Sequence, residues 1–179
     1  MTVRDIMTSG VVSCKPETNL ASAAASMWEH DCGVLPVVDE NMHVKGMVTD
    51  RDICIALATR NQLASDITVG EVFSGDAFVC GANENVQSAL ATMRDHKIRR
   101  VPVVDEQGAL TGIVSIDDIV LVATDKKSTR NSSITYEDAI RTQKAIAERP
   151  IVNVTAHYTN QQPAAPAQRP HGHDFDFEE

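Results

Sequence analysis

The chain has 179 residues, enough for one ordinary domain or two small ones with a substantial core. Apolar residues make up 42% and aromatics only 4%, so that core must be built from Val, Ile, Leu, Ala and Met. A net charge of −9 excludes a typical duplex-binding protein, which needs a concentrated basic face to neutralise phosphates.

The charge is unevenly spread. Residues 1–124 hold 9 basic and 17 acidic side chains, and the only basic excess, 6 against 4, lies in residues 125–160. No apolar run approaches the roughly 20 residues of a membrane span. The start, Met1-Thr2-Val3-Arg4-Asp5, lacks a secretory hydrophobic region, so a cytoplasmic location is expected. Cys14, Cys32, Cys54 and Cys80 form no C-x-x-C pair, which argues against a zinc ribbon or a thioredoxin-type motif.

In chain order, residues 1–58 align with 67–124 without a gap, at an offset of 112 − 46 = 66. Val3 matches Val69, Met27 matches Met93, His30 matches His96, and Pro36 to Glu40 match Pro102 to Glu106. The chain is therefore read in pairs. Each repeat opens with an apolar-acidic turn (3–7, 69–73) and leads into a short strand (11–14, 77–80). Helices are predicted over 18–31 and 84–96, where Leu20, Ala24, Met27 and Trp28, or Val86, Leu90 and Met93, recur at helical spacing and read as core.

Next come the proline strands Val34-Leu35-Pro36-Val37-Val38 and Val101-Pro102-Val103-Val104. Their proline lacks a ladder donor and predicts an edge position or a strand start. Asp39-Glu40-Asn41 and Asp105-Glu106-Gln107-Gly108 supply turn chemistry. Third strands (44–48, 110–114) then enter closing helices (50–59, 116–124). Each repeat reads β-α-β-β-α.

The junction of third strand and closing helix carries the most chemistry. Gly46-Met47-Val48-Thr49-Asp50-Arg51-Asp52-Ile53 recurs as Gly112-Ile113-Val114-Ser115-Ile116-Asp117-Asp118-Ile119. Thr49 with Asp52, and Ser115 with Asp118, form the S/T-x-x-acid pattern of a helix capping box. A helix start also presents free amides that suit an anion, and an ionised Asp accepts hydrogen bonds from sugar hydroxyls. The same residues serve equally well as caps that bind nothing.

With its repeated Leu35-to-Asp39 and Val101-to-Asp105 strands and Gly-x-x-Thr/Ser-x-x-Asp turns, the unit resembles a cystathionine-β-synthase (CBS) domain, and the pair resembles a Bateman module. The resemblance covers residues 1 to about 124. It implies an α/β (α+β) fold of two units about a pseudo-twofold axis, 1–65 and 66–124, with two clefts that take adenosine-containing ligands such as AMP, ADP, ATP, NAD or S-adenosylmethionine. Thr49 and Asp52 would meet the ribose in one cleft, and Ser115 and Asp118 in the other. Val12, Val34, Leu35, Phe78 and Val101 would wall the adenine. His96, Lys97, Arg99, Arg100 and Arg51 would face phosphate, since Arg offers a fork suited to it. Arg51 has Asp117 as its counterpart, so unequal sites are expected. His30 and His96 fall at helix ends, where a capping donor is the plainer role for His30, while for His96, joined to the Arg cluster, a cap and a ligand contact stand level.

Residues 125–133 read as a basic linker. A C-terminal amphipathic helix is capped at Thr135 and stopped by Pro150, with Tyr136, Ala139, Ile140, Ile146 and Ala147 as a partial stripe. A strand over 151–158 is weakly indicated, and the rest of 151–179 reads as a mostly disordered tail. His171 and His173 in that tail are read as an adventitious metal contact, and no metal site is expected. There is no P-loop, G-x-G-x-x-G or H-E-x-x-H. The expectation is a regulatory, non-catalytic ligand sensor, homodimeric through its Ala-rich helices, signalling to a partner in trans and binding neither nucleic acid nor membrane. The alternatives are a structural homodimerising protein without ligand and a nucleotide hydrolase.

Overall fold

The computed structural model describes residues 1–125 and 134–148. The expected linker over 126–133, Pro150, the strand over 151–158 and the tail with His171 and His173 lie outside the described residues. The element order is β1 (Thr8–Ser9), α1 (Leu20–Glu29), β2 (Val34–Val38), β3 (Val44–Thr49), α2 (Asp50–Arg60), β4 (Ser74–Gly75), β5 (Cys80–Gly81), α3 (Val86–His96), β6 (Arg100–Val104), β7 (Leu110–Ser115), α4 (Ile116–Val122) and α5 (Tyr136–Ala147). Short 3-10 turns at Val3–Asp5 and Val69–Glu71 open the two repeats. The fold is mixed α+β, as the repeat pattern predicts.

The sheets run β2-β3-β4 and β1-β7-β6-β5. Each takes its outer antiparallel strand from the other repeat. β1 pairs with β7 (Thr8 with Ile113), and β4 pairs with β3 (Ser74 with Met47). The cores follow the same exchange. Val3 is buried with Leu90, Met93 and Ile119 of the second repeat, whereas Ile67 and Val69 are buried with Leu20, Leu35 and Ile53 of the first. Alternation along a sequence cannot show this crossing, because it states which face is apolar and not which sheet receives it. The bridge between His43 and Ala109 joins equivalent positions and marks where the pseudo-twofold axis passes.

The proline strands meet the edge expectation once: β2 is the edge strand of its sheet, whereas β6 lies between β7 and β5. Pro36 and Pro102 sit mid-strand, in β2 and β6. The parallel neighbour of β2 is one bridge at Cys14, whose N–H donates to the Pro36 carbonyl and whose carbonyl accepts from Val38. Pro36 has no N–H to extend that pairing backwards. The predicted first strand over 11–14 therefore shrinks to one bridge, and that over 77–80 becomes the two-residue β5. The stretches that hold Val12 and Phe78 are thereby left out of the sheets.

Helices α1 and α3 start later than predicted because Asn19 and Asn85 are the caps, accepting from the N–H of Ser22 at 2.8 Å and of Gln87 at 2.9 Å. Met27 is buried, but Trp28, expected in the core, is 87% exposed. Its counterpart Arg94 lies under α5, donating to Thr142 Oγ1 at 3.1 Å. Helix α5 is capped by Thr135 as predicted and packs on α3 and α4, burying Ala139, Thr142 and Ile146 while Tyr136 and Ile140 stay outside. The α1–α2 face of the first repeat has no such cover among the described residues. Its groove of about 650 Å³ runs along Ala24, Trp28, Cys54 and Leu57.

Candidate functional site

A cavity of about 360 Å³ lies between the repeats. From the first repeat it is lined by Val12, His30, Asp31, Cys32 and Val34, and from the second by Arg100, Ile113, Ser115 and Asp118. Its composition follows from two local rules. The proline-shortened strand frees Val12, and two-residue periodicity turns Val34 and Arg100 towards the cavity while sending Leu35 and Val101 into the two cores. Leu35 and Val101 are completely buried there, so the wall expected of them is supplied instead by Val11, Val12, Val34 and Ile113.

At one end stands the Ser115 capping box. Asp118 Oδ2 accepts from the Ser115 N–H at 2.7 Å and from its hydroxyl at 2.6 Å, and the Asp118 N–H donates back to Ser115 Oγ at 3.2 Å. The Ser115 proton is thus committed to Asp118 rather than free for a ligand. No side chain or backbone group of the described residues donates to Asp118 Oδ1, and Asp118 lines the cavity. The cap thus occupies one oxygen of the carboxylate and leaves the other outside it. Thr49 and Asp52 repeat the arrangement, with Oδ2 accepting at 2.9 Å and 2.7 Å.

The expected phosphate cluster is divided by the structure. Arg100 lines the cavity. Arg99 faces the other way, beside Asp117, Tyr136 and Ile140. Lys97, in left-handed backbone after α3, donates to the Glu148 carbonyl at the end of α5. His96 stacks on Phe78, with ring centroids 3.4 Å apart and planes 16° apart. Arg51 is exposed on α2 and lines neither this cavity nor the α1–α2 groove. His30, read as a helix cap, is one, with Nδ1 2.9 Å from the Ser26 carbonyl, and it lines the cavity as well. Thr8 arrives through the strand crossing, which no local signal announces, whereas Ile113 lies on the same strand as Ser115, two residues before it, and its face follows from the strand period. Asp31 and Cys32 could have been inferred from their place between His30 and Val34.

The described residues contain no group of three or more His, Cys, Asp or Glu that could hold a metal ion, and none of their helices is long and apolar enough to cross a membrane.

Comparison with known proteins agrees with this geometry. Residues 3–59 and 69–125 each match the CBS domain family. Hypoxic response protein 1 of Mycobacterium tuberculosis is 39% identical over 118 residues, which is 66% of this chain and 82% of that protein. Its crystal structure, with two coordinated zinc ions, superimposes with a TM-score of 0.63 at 37% identity, over 69% of this chain and all of the other. The CBS domain pair of protein MJ0100, in complex with 5′-methylthioadenosine and S-adenosyl-L-methionine, gives 0.61 at 28% identity, over 68% and 94% of the two chains. The protein CBSX2 in complex with AMP gives 0.58 at 28% identity, over 67% and 94%.

Proposed function

The chain belongs to the CBS domain family and carries two copies of its unit, and from that premise we propose that it is a regulatory module that binds an adenosine-containing ligand in the cleft between the repeats and carries out no catalysis of its own. The observation that carries this reading is the convergence of Val12 and Val34 from one repeat with Arg100, Ser115 and Asp118 from the other on one cavity. Aliphatic walls suit a purine, the free Asp118 oxygen suits ribose hydroxyls, and the guanidinium suits a 5′ phosphate. Two solved relatives that hold adenosine compounds support the ligand class.

The charges favour a lightly charged ligand. Among the described residues Arg100 is the one permanent cation lining the cavity, and it shares the lining with Asp31 and Asp118. A nucleoside or its monophosphate is accommodated better than a triphosphate, whose extra charge would lie unpaired near these carboxylates.

Output runs through α5. The turn from His96 to Arg100 touches a cleft residue at one end and α5 at Lys97, so a ligand that draws on Arg100 also loads the contact with the C-terminal helix. The second helical surface, the α1–α2 groove with exposed Trp28, is the homodimer face, and α5 covers the matching face of the other repeat. The signal would pass to a partner protein in trans.

Thermal melting of the full chain with adenosine, AMP, ATP and S-adenosylmethionine tests the ligand reading, since a ligand selective for the folded state raises Tm. Asp118→Asn keeps an oxygen for the cap and turns an amide towards the ribose. Loss of the Tm rise in that variant, with unchanged melting of the free protein, is expected. If no compound raises Tm at millimolar concentration, the ligand reading fails and the capping boxes are caps alone.

A further inference from the structure

The 66-residue offset maps every residue of the described cavity onto a counterpart, and the two ends of the twin site have different fates. At the sugar end the geometry is kept: Thr49 and Asp52 form the same box as Ser115 and Asp118, with bond lengths matching within a few tenths of an ångström. At the base end it is not. Val12 and His30, which line the open cavity, become Phe78 and His96, and these two rings lie face to face at 3.4 Å. That is one aromatic thickness. A purine entering between the rings needs twice that separation, and it would have to give up the contact that Phe78 and His96 already make. Neither Thr49 nor Asp52 lines the described cavity, the α1–α2 groove, the groove at Arg4 and Glu84, or the one between α4 and α5.

Resting on the ligand reading above, we propose that the protein binds one adenosine-containing ligand per chain, at Ser115 and Asp118, and that the Phe78–His96 stack fills the base position of the twin site. The stack occupies the place of the base, while Asp52 keeps the capping geometry of the ribose end. Phe78 is thus the residue that sets stoichiometry. Because it is 44% exposed and belongs to neither core cluster, it can be changed without opening a core.

Isothermal titration of the full chain with AMP decides this. The wild type should bind one AMP per chain, and Asp118→Asn should lose it. Phe78→Val, which gives the twin site the aliphatic wall of Val12, should bind two, and the double variant Phe78→Val with Asp52→Asn should return to one. His96→Ala provides a second route to the same opening and should also raise the count. Two AMP per wild-type chain, or a count that stays at one in both Phe78→Val and His96→Ala, would overturn the proposal while leaving the ligand reading intact. Absence of binding by wild type and variants alike, to AMP and to adenosine, would overturn both.

Discussion

Gly46 lies directly beneath Phe73. A Cβ built on Gly46 would come within 2.2 Å of Phe73 Cδ2 and 2.3 Å of the Ser74 carbonyl oxygen. Gly112 stands in the same relation to Met7 and to the Thr8 carbonyl, at 2.9 and 2.7 Å. These glycines serve close approach rather than a turn, because the strand arriving from the other repeat runs across them. Gly46→Ala should destabilise the protein by about 1–3 kcal/mol through overpacking. Gly75→Ala, on the crossing strand itself with nothing within 4 Å, should stay within about 0.5 kcal/mol of wild type. Urea unfolding of the two variants measures both.

Arg100 should separate phosphate from nucleoside. Arg100→Ala is expected to weaken AMP binding about 10- to 100-fold, the effect of removing a hydrogen bond to a charged group, and to leave adenosine binding nearly unaltered. Titration calorimetry with both compounds reads the difference, and equal losses for the two would show that Arg100 acts on the wall and not on phosphate.

The four thiols should divide by burial. Burial disfavours the thiolate and pushes Cys14 up to about 11 and Cys80 up to about 12. Iodoacetamide on the native protein at neutral pH should therefore leave both unmodified until the chain unfolds. Cys54 is exposed and Cys32 half-buried, so these two should react. Because Cys32 lines the cleft, AMP should slow its labelling and leave that of Cys54 alone. Peptide mass mapping with and without AMP checks each point.

Stability should fall in acid over a defined range. Lys45, 3.0 Å away, together with the N–H groups of His43 and Asn41, holds the Asp39 carboxyl down to about 2 from its ordinary 3.8. Asp5 and Glu71 are lowered chiefly by the Thr2 and Thr68 N–H groups that they accept from. A carboxyl depressed in the folded state stabilises it fully above the unfolded value and loses that contribution as pH falls through the folded one. The decline should therefore run from about pH 4 down to about 2, and Asp39→Asn should flatten part of it in urea titrations performed across that range.

Much of the fold was legible because the chain states it twice. The repeat offset, the two capping boxes and the Thr135 cap are all local signals, and all appear where the residues place them. What was not legible is non-local. Nothing in Thr8 or Ser74 announces that it will pair with the opposite repeat, and nothing in Lys97 or Arg99 announces that α5 will draw them from Arg100. Leu35 and Val101 lie one residue out of phase with the cleft, and a strand's period of two carries that single step straight to the other face. Trp28 read as core because a helical stripe names an apolar face without naming what covers it. In the second repeat that cover is α5.

The crossing of β1 and β4 bears on how such a protein can assemble. One repeat alone would possess an arm with no sheet to join and a sheet with no arm, and a second identical molecule would be needed to supply both. Joining two repeats in a single polypeptide makes that encounter intramolecular, so acquiring this part of the structure no longer depends on protein concentration. Proteolytic separation at residue 65 would restore the dependence, and the mixed fragments should regain structure to an extent that rises with their concentration.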